Sequence, residues 1–473
     1  MKRIFCFSIA AFIMLPLFAQ KILSKEKILA DFDYLVANLE EKHQGFKLHL
    51  APDELALKVD SLRSELGSMS RPDFFKQINA LLYFTHEGHT WARLPGSALL
   101  KMGTKEEFFP LTIRIFERKA YLSQYFGEAP IELLKGAELL TINGRNMEEI
   151  MQEALFYIPT DGFNRTSSYE WLSWQFPLFY RLGFGPKKKF TISFRERNSE
   201  EIQSLSLAPI KATRLKRKFA HWKVPVLRHK DFDFEIIRDS IAYLAINSFS
   251  LNSKEYEIWL KSKFKILKEQ QIKHLILDIQ DNGGGTEGHE NLLMSYLTRK
   301  PFQKYAYVST YPSFMEKHIG KKEIAFDQWK MDEGRALRGD FSLQSDYFSD
   351  RGFAKPNADL IFEGNVYALI GGVTFSGGAE FASMLKMTNR AIFVGEETGG
   401  VYEGNVSGYS TKIKLPHSKI KISIPTVHFR INVDPNIKSR GVMPDYEVPQ
   451  TLEDYLNQIN SKKEFVLKNL ILG

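Results

Sequence analysis

The chain has 473 residues, 44% of them hydrophobic, a formal net charge of +8 and one cysteine. This apolar content excludes a disordered chain, and the length suits two or three domains. With Cys6 as the single thiol, a disulfide framework is excluded.

The N-terminus reads as a secretory leader. Met1-Lys2-Arg3 is a short basic head, Ile4 to Phe18 is apolar, and Ala19-Gln20 is the expected cleavage point. The run is too short to span a bilayer. Cleavage after 19 removes Lys2 and Arg3, lowering the charge by two to +6, and removes Cys6, so thiol catalysis is excluded too. The expected location is periplasmic or extracellular, with no transmembrane segment in the mature chain. A chain this long buries enough core to do without disulfides.

Residues 20–104 are expected to form an N-terminal helical domain. Ile28, Phe32, Leu35 and Leu39 recur at helical spacing, and Leu55, Val59 and Leu62 continue the pattern. A helix-like run from Phe74 to Phe84 leads into Glu87-Gly88-His89-Thr90, whose histidine is a candidate general base. His86 and His89 lack the i, i+4 spacing that puts two ligands on one helical face, so a zinc motif is not read there. Residues 105–225 read as short strands with turns. Within them Leu134 to Gly144 resembles the end of a PDZ domain, with Asn143-Gly144 as a tight turn. The carboxylate-binding front loop of such a domain is absent, so the expectation is a PDZ-like or degenerate β-rich module. Basic clusters at Lys187-Lys188-Lys189 and from Lys211 to Lys223 read as solvated faces. No base-reading motif accompanies them, and nucleic acid is not an expected partner.

Residues 226–473 alternate strands and helices, which predicts a mostly parallel sheet in an α/β domain. Expected strands are Ala242 to Ile246, Leu275 to Ile279 and Tyr367 to Ile370, with a helix from Tyr256 to Lys268. The third strand leads into Thr374-Phe375-Ser376-Gly377-Gly378-Ala379-Glu380-Phe381, where Ser376 stands at a strand-to-helix turn. A serine there is ordinarily a helix cap. It is also well placed as a nucleophile, because the free amides of the first helical turn can stabilise an anion. The second strand ends in Asp281-Asn282-Gly283-Gly284-Gly285, and consecutive glycines after a strand allow close approach to the backbone. Ligands of parallel sheets collect at such strand ends, so the two loops can converge.

Six landmarks in order then carry a resemblance. They are Gly88-His89-Thr90; Ile241 to Leu244 with Ser248-Phe249; Leu277 to Gly285; Thr374 to Phe381; Gly395-Glu396-Glu397-Thr398-Gly399-Gly400; and Gly441-Val442-Met443-Pro444-Asp445. The chain resembles the tail-specific, or C-terminal-processing, serine peptidase superfamily. Serine-lysine members carry a lysine about where Val401 stands, so the resemblance points to the tricorn-like, serine-histidine branch. It implies a crotonase-like (ClpP/enoyl-CoA-hydratase-like) ββα catalytic core over 226–473. It further implies Ser376 as nucleophile, His89 as base, and an oxyanion hole from the amides of Gly377 and Gly284.

Two departures from the tricorn pattern stand out. Lys438 occupies the place of its supporting glutamate, and Gly88 that of the serine before the histidine. Asp434, Glu396, Glu397 and Glu403 are then alternative orienting acids. The expected function is an exported serine peptidase acting on peptide or unfolded protein through an acyl-enzyme, with no metal or organic cofactor. The alternatives are a non-catalytic protein binding peptides or small apolar ligands on the same fold, which Lys438 favours, and an esterase using the same serine. Nothing in the sequence sets the oligomeric state.

Overall fold

The computed structural model describes residues 22–127, 135–219, 231–311, 330–332, 335–338, 353–354, 356–434, 436 and 438–472. The expected leader at 1–19, with Cys6, lies outside them, as do Leu134, the end of the second basic cluster at 220–223, Pro435 and Ile437. Among the described residues no helix is long and apolar enough to cross a membrane. The fold is mixed α/β, with three six-stranded sheets among the described residues.

The sheet that carries the serine runs in the order Phe232–Arg238, Ile241–Ile246, His274–Asp278, Asn365–Ile370, Ile392–Gly395 and Tyr446–Glu447. Its first pair is antiparallel and the rest are parallel. Parallel strands are covered on both faces and therefore read as continuous apolar runs. Leu275 and Leu277 point to one face, where Leu260, Phe264 and Leu267 of the helix Ser253–Glu269 pack with Phe381 and Leu385 of the helix Gly377–Met387. Ile276 points to the other face and meets Tyr367, Leu369, Val394 and Val466. The first of these helices is capped by Asn252, whose side chain accepts from the amides of Lys254 and Glu255.

A second, antiparallel sheet contains Leu111–Phe116, Lys119–Tyr125, Glu138–Ile142, Phe190–Arg195 and Ile202–Leu207. Asn143 and Gly144 take φ of 51° and 79° in the tight turn after Ile142, as that dipeptide predicts. The sequence reading of short strands through this region needs correcting, because the helices Met147–Leu155 and Thr166–Phe184 stand within it. The second is hard to read from sequence. It is rich in aromatics, holds Pro177, and leaves helical geometry at Gln175, yet it buries Leu172, Phe176, Phe179 and Tyr180 against the sheet.

The third sheet joins the two ends of the chain. Trp91–Arg93 pairs with Lys421–Ile431, which also pairs with Gly404–Lys414 and Tyr305–Thr310. The helices Lys25–Lys42, Pro52–Ser64 and Arg71–Tyr83 bury Ile28, Phe32, Leu55, Phe74 and Ile78 against Leu415, Ile420 and Ile424. The loop carrying His89 is therefore held at both ends, by the helix Arg71–Tyr83 before it and the strand Trp91–Arg93 after it.

Candidate active site

After the strand Asn365–Ile370 the chain turns sharply, and Thr374 locks the turn. Its Oγ1 donates to the Ile279 carbonyl (3.0 Å) and accepts from the Gly371 amide (3.1 Å). The Phe375 amide donates to the Asn282 carbonyl at 3.0 Å, tying this turn to the glycine loop. Ser376 follows at φ 50°, ψ −129°, a conformation costly for a residue with a side chain and held only by firm surroundings. Its hydroxyl makes no capping bond to the helix Gly377–Met387. The ordinary job of a serine at this boundary is therefore not performed, and the side chain is left for another.

The glycine loop lies against this serine. Gly284 has φ +89°, and a Cβ there would stand 2.8 Å from Ser376 Cβ and 2.7 Å from the Gly377 nitrogen. Asn282 shapes the loop by donating its Nδ2 to the Ile246 carbonyl (3.0 Å) and accepting the Gly284 amide at Oδ1 (2.9 Å). The Gly284 N–H, expected in the oxyanion hole, is thus turned into its own loop. Among the described residues the amides of Gly377 and Gly285 have no hydrogen-bond partner, and the Gly285 nitrogen lies 3.7 Å from where a Cβ on Gly377 would be. Gly284→Val is expected to displace Ser376 and lower turnover by at least about a hundredfold, since a shift of about 1 Å at a reacting group costs that much. The check is steady-state hydrolysis alongside a thermal melt, and a folded variant with undiminished turnover contradicts the close-approach role.

His89 is delivered to the same place. Its ring stacks on Phe375, the neighbour of Ser376, at 4.7 Å between centroids and 23° between planes. Its Nδ1 lies 3.7 Å from Asp161 Oδ1, and Asp161 is nearly fully buried while the His89 side chain is 20% exposed. Asp161 is placed by a backbone bond, Oδ1 accepting the Gly88 amide at 2.6 Å. A Cβ at residue 88 would meet Asp161 Oδ1 at 2.9 Å and Phe375 Cζ at 2.7 Å, so glycine stands there because the acid and the ring approach so closely. At 3.7 Å the His89–Asp161 contact is longer than a hydrogen bond, and neither His89 Nδ1 nor Asp161 Oδ2 has a hydrogen-bond partner among the described residues. Burial pulls the His89 imidazole toward its neutral form. The charge of Asp161, with a smaller contribution from Glu380, outweighs that effect and holds its pKa above the ordinary value.

The orienting acids expected from sequence are engaged elsewhere. Glu397 accepts two bonds from Arg440 (2.8 and 2.6 Å) and one from the Gly441 amide (2.8 Å). Glu403 accepts the Ser439 amide at 3.3 Å, and Glu396 pairs with Lys462 at 3.2 Å. Asp434 and Lys438 are exposed. The carboxylate beside His89 is instead Asp161, from the segment between the helices Met147–Leu155 and Thr166–Phe184. No motif marks it in the sequence; its one signal is an Asp-Gly turn at 161–162 in an apolar neighbourhood. His86 is engaged next to Asp161, bonding the Gly162 carbonyl through Nδ1 (3.1 Å) and packing edge-on against Phe163. Among the described residues no cluster of three His, Cys, Asp or Glu side chains could hold a metal ion.

Comparison with known proteins bears on this arrangement. Residues 240–448 match Peptidase family S41. No curated protein sequence matches the chain. Among solved structures, mature CPAF complexed with lactacystin superposes with a TM-score of 0.64 at 16% identity, over 94% of this chain and 97% of that one. Mature CPAF without that compound gives 0.61 at 15%, over 94% and 96%. A mutant of CPAF gives 0.63 at 14%, over 94% and 96%. At such identities the likeness is one of fold. The matched region contains Ser376 and the glycine loop, whereas His89 and Asp161 come from the chain before it. Residues 240–448 are a Peptidase family S41 domain, and through it the chain is a serine-type peptidase.

Proposed function

We propose that this peptidase is exported, belongs to the tricorn-like branch, and cleaves peptides or unfolded proteins through an acyl-enzyme on Ser376. In this reading the 226–473 region is a crotonase-like catalytic core, 20–104 an N-terminal helical domain and 105–225 a PDZ-like or degenerate β-rich module. His89 is the general base and Asp161 the acid behind it. The observation that carries the reading is the pairing of a strained, uncapped Ser376 with an imidazole stacked on the adjacent Phe375.

With Nδ1–H directed at Asp161, His89 presents an unprotonated Nε2 to the serine hydroxyl. The base takes the Ser376 proton as Oγ attacks the scissile carbonyl, and the amides of Gly377 and Gly285 receive the oxyanion. The imidazolium, stabilised by Asp161, then protonates the leaving amine, and water repeats the cycle on the ester. His89→Ala is expected to lower kcat/KM by at least about a hundredfold. In the unaltered enzyme kcat/KM rises with pH as His89 loses its proton, and the midpoint lies above the ordinary imidazole value of about 6.5 because nearby carboxylates hold the pKa up. Asp161→Asn removes the strongest of those charges, so the midpoint moves to lower pH while the plateau falls. A profile that is flat from pH 5 to 9, or an Asp161→Asn midpoint that stays in place, overturns these roles.

A further inference from the structure

A second imidazole is buried behind His89, and the steps above do not use it. His49 lies between the helices Lys25–Lys42 and Pro52–Ser64. Its Nε2 stands 3.0 Å from Glu87 Oε1 and its Nδ1 2.9 Å from Ser439 Oγ. The His49 and Glu87 side chains are 3% and 1% exposed. Glu87 precedes His89 by two residues in the same short loop. A carboxylate and an imidazole in contact, sealed from water and next to a catalytic base, are costly to maintain without a use.

Several groups face this couple. Asp161 lies on the His89 side and acts on both Glu87 and His49. Glu403 acts on His49, Glu380 of the serine helix acts on His89, and the Val406 amide favours a charged Glu87. His43 is a further neighbour; burial holds its pKa down to about 3, so it is neutral, accepting the Gly45 amide at Nδ1 and donating from Nε2 to Thr90 Oγ1 at 2.6 Å. His86 also feels His49, together with Arg165 and Lys58.

Burial and the charge of Asp161 push Glu87 well above the carboxylate range. Burial pulls His49 down, against Asp161 and Glu403. Both shifts favour uncharged partners, with the proton on Glu87 Oε1 donated to His49 Nε2. His49 Nδ1 then carries hydrogen and donates to Ser439 Oγ. If the shared proton moves to His49, the same Nδ1–H bond to Ser439 persists. The proton can therefore cross the 3.0 Å contact while every side chain stays in place.

We propose that Glu87 and His49 are positioning residues that share one proton in the service of His89. As His89 accepts the Ser376 proton, the shared proton crosses from Glu87 Oε1 to His49 Nε2, leaving a carboxylate to face the new imidazolium. One O–H bond breaks and one N–H bond forms, with no net gain or loss of protons. The proposal rests on the Ser376–His89 reading given above.

The test measures acylation in single turnover on a fluorogenic peptide, using the mature protein in mixtures of H2O and D2O. The unaltered enzyme is expected to give a curved rate dependence on deuterium fraction, the mark of two protons in motion. Glu87→Gln and His49→Gln are each expected to slow acylation by about tenfold, with KM changed less than about twofold and a linear deuterium dependence. The double variant is expected to be no slower than either single one, since the two residues act as a unit. A linear dependence in the unaltered enzyme overturns the proposal without any variant, so folding of the variants does not decide it. Wild-type acylation in both folded variants, or losses that add, overturns it as well. His89→Ala separates the two levels: inactive His89→Ala beside fully active Glu87→Gln sinks the shared proton alone, whereas fully active His89→Ala removes the base and this proposal together.

Discussion

Ser376→Ala is expected to abolish hydrolysis, with a loss on the order of 10⁶ in kcat, as when the nucleophile of a serine peptidase is removed. Stability should move by less than about 1 kcal/mol, because the serine makes no capping bond whose loss would be felt. Alanine also inherits the φ of 50°, so no backbone strain is relieved. A serine-directed phosphonate should label the unaltered protein and leave the variant unlabelled. Peptide hydrolysis at the wild-type rate, or labelling that persists in Ser376→Ala, moves the nucleophile elsewhere.

Lys304→Met is expected to destabilise the fold by about 3–5 kcal/mol, the usual consequence of stripping one partner from a buried ion pair. Lys304 is completely buried, and its Nζ donates to Glu290 Oε1 (2.7 Å) and to Glu380. Glu380 also accepts from Asn405 Nδ2 (2.8 Å) and the Tyr305 hydroxyl (3.2 Å), and its amide donates to the Ser376 carbonyl at 2.9 Å. The network therefore braces the first turn of the serine helix. Burial alone would lower the Lys304 pKa, but the carboxylates of Glu290, Glu380 and Glu287 raise it instead. Burial likewise opposes ionisation of Glu380, but Lys304 and the hydrogen bonds hold its pKa below the ordinary carboxylate value. Stability from Glu380 is therefore present above its unfolded pKa of about 4.3 and is lost as pH falls through the lower folded value. Urea melts of Lys304→Met, alone and combined with Glu290→Gln and Glu380→Gln, provide the check. Replacing all charged partners should recover part of the loss, because unpaired buried carboxylates are its main source. A Lys304→Met midpoint equal to that of the unaltered protein contradicts the bracing role.

What the sequence alone determined is local. The parallel strands announce themselves as apolar runs such as Leu275 to Leu277, buried on both faces. The helix Ser253–Glu269 shows in the spacing of Tyr256, Leu260, Phe264 and Leu267, and the serine turn in a strand, a short loop and a helix met in order. These signals span a few residues because backbone geometry repeats over a few residues. The helix Thr166–Phe184 escaped for the same reason, since Pro177 and the break at Gln175 blur its period.

The tertiary structure decided how charges and donors are arranged around the serine. Asp161 reaches the histidine loop through a bond to Gly88, 73 residues away, and neither residue type signals that meeting. Glu397, a reasonable partner by motif, is held by Arg440, while His49 and Glu87 meet across 38 residues. Even within the glycine loop, Asn282 rather than glycine content decides which amide is free. An acid, a base and an amide acquire their roles from distances of about 3 Å and from the exclusion of water. Those distances are set by packing between segments remote in the chain, and one segment's residue pattern carries no record of what lies across the contact.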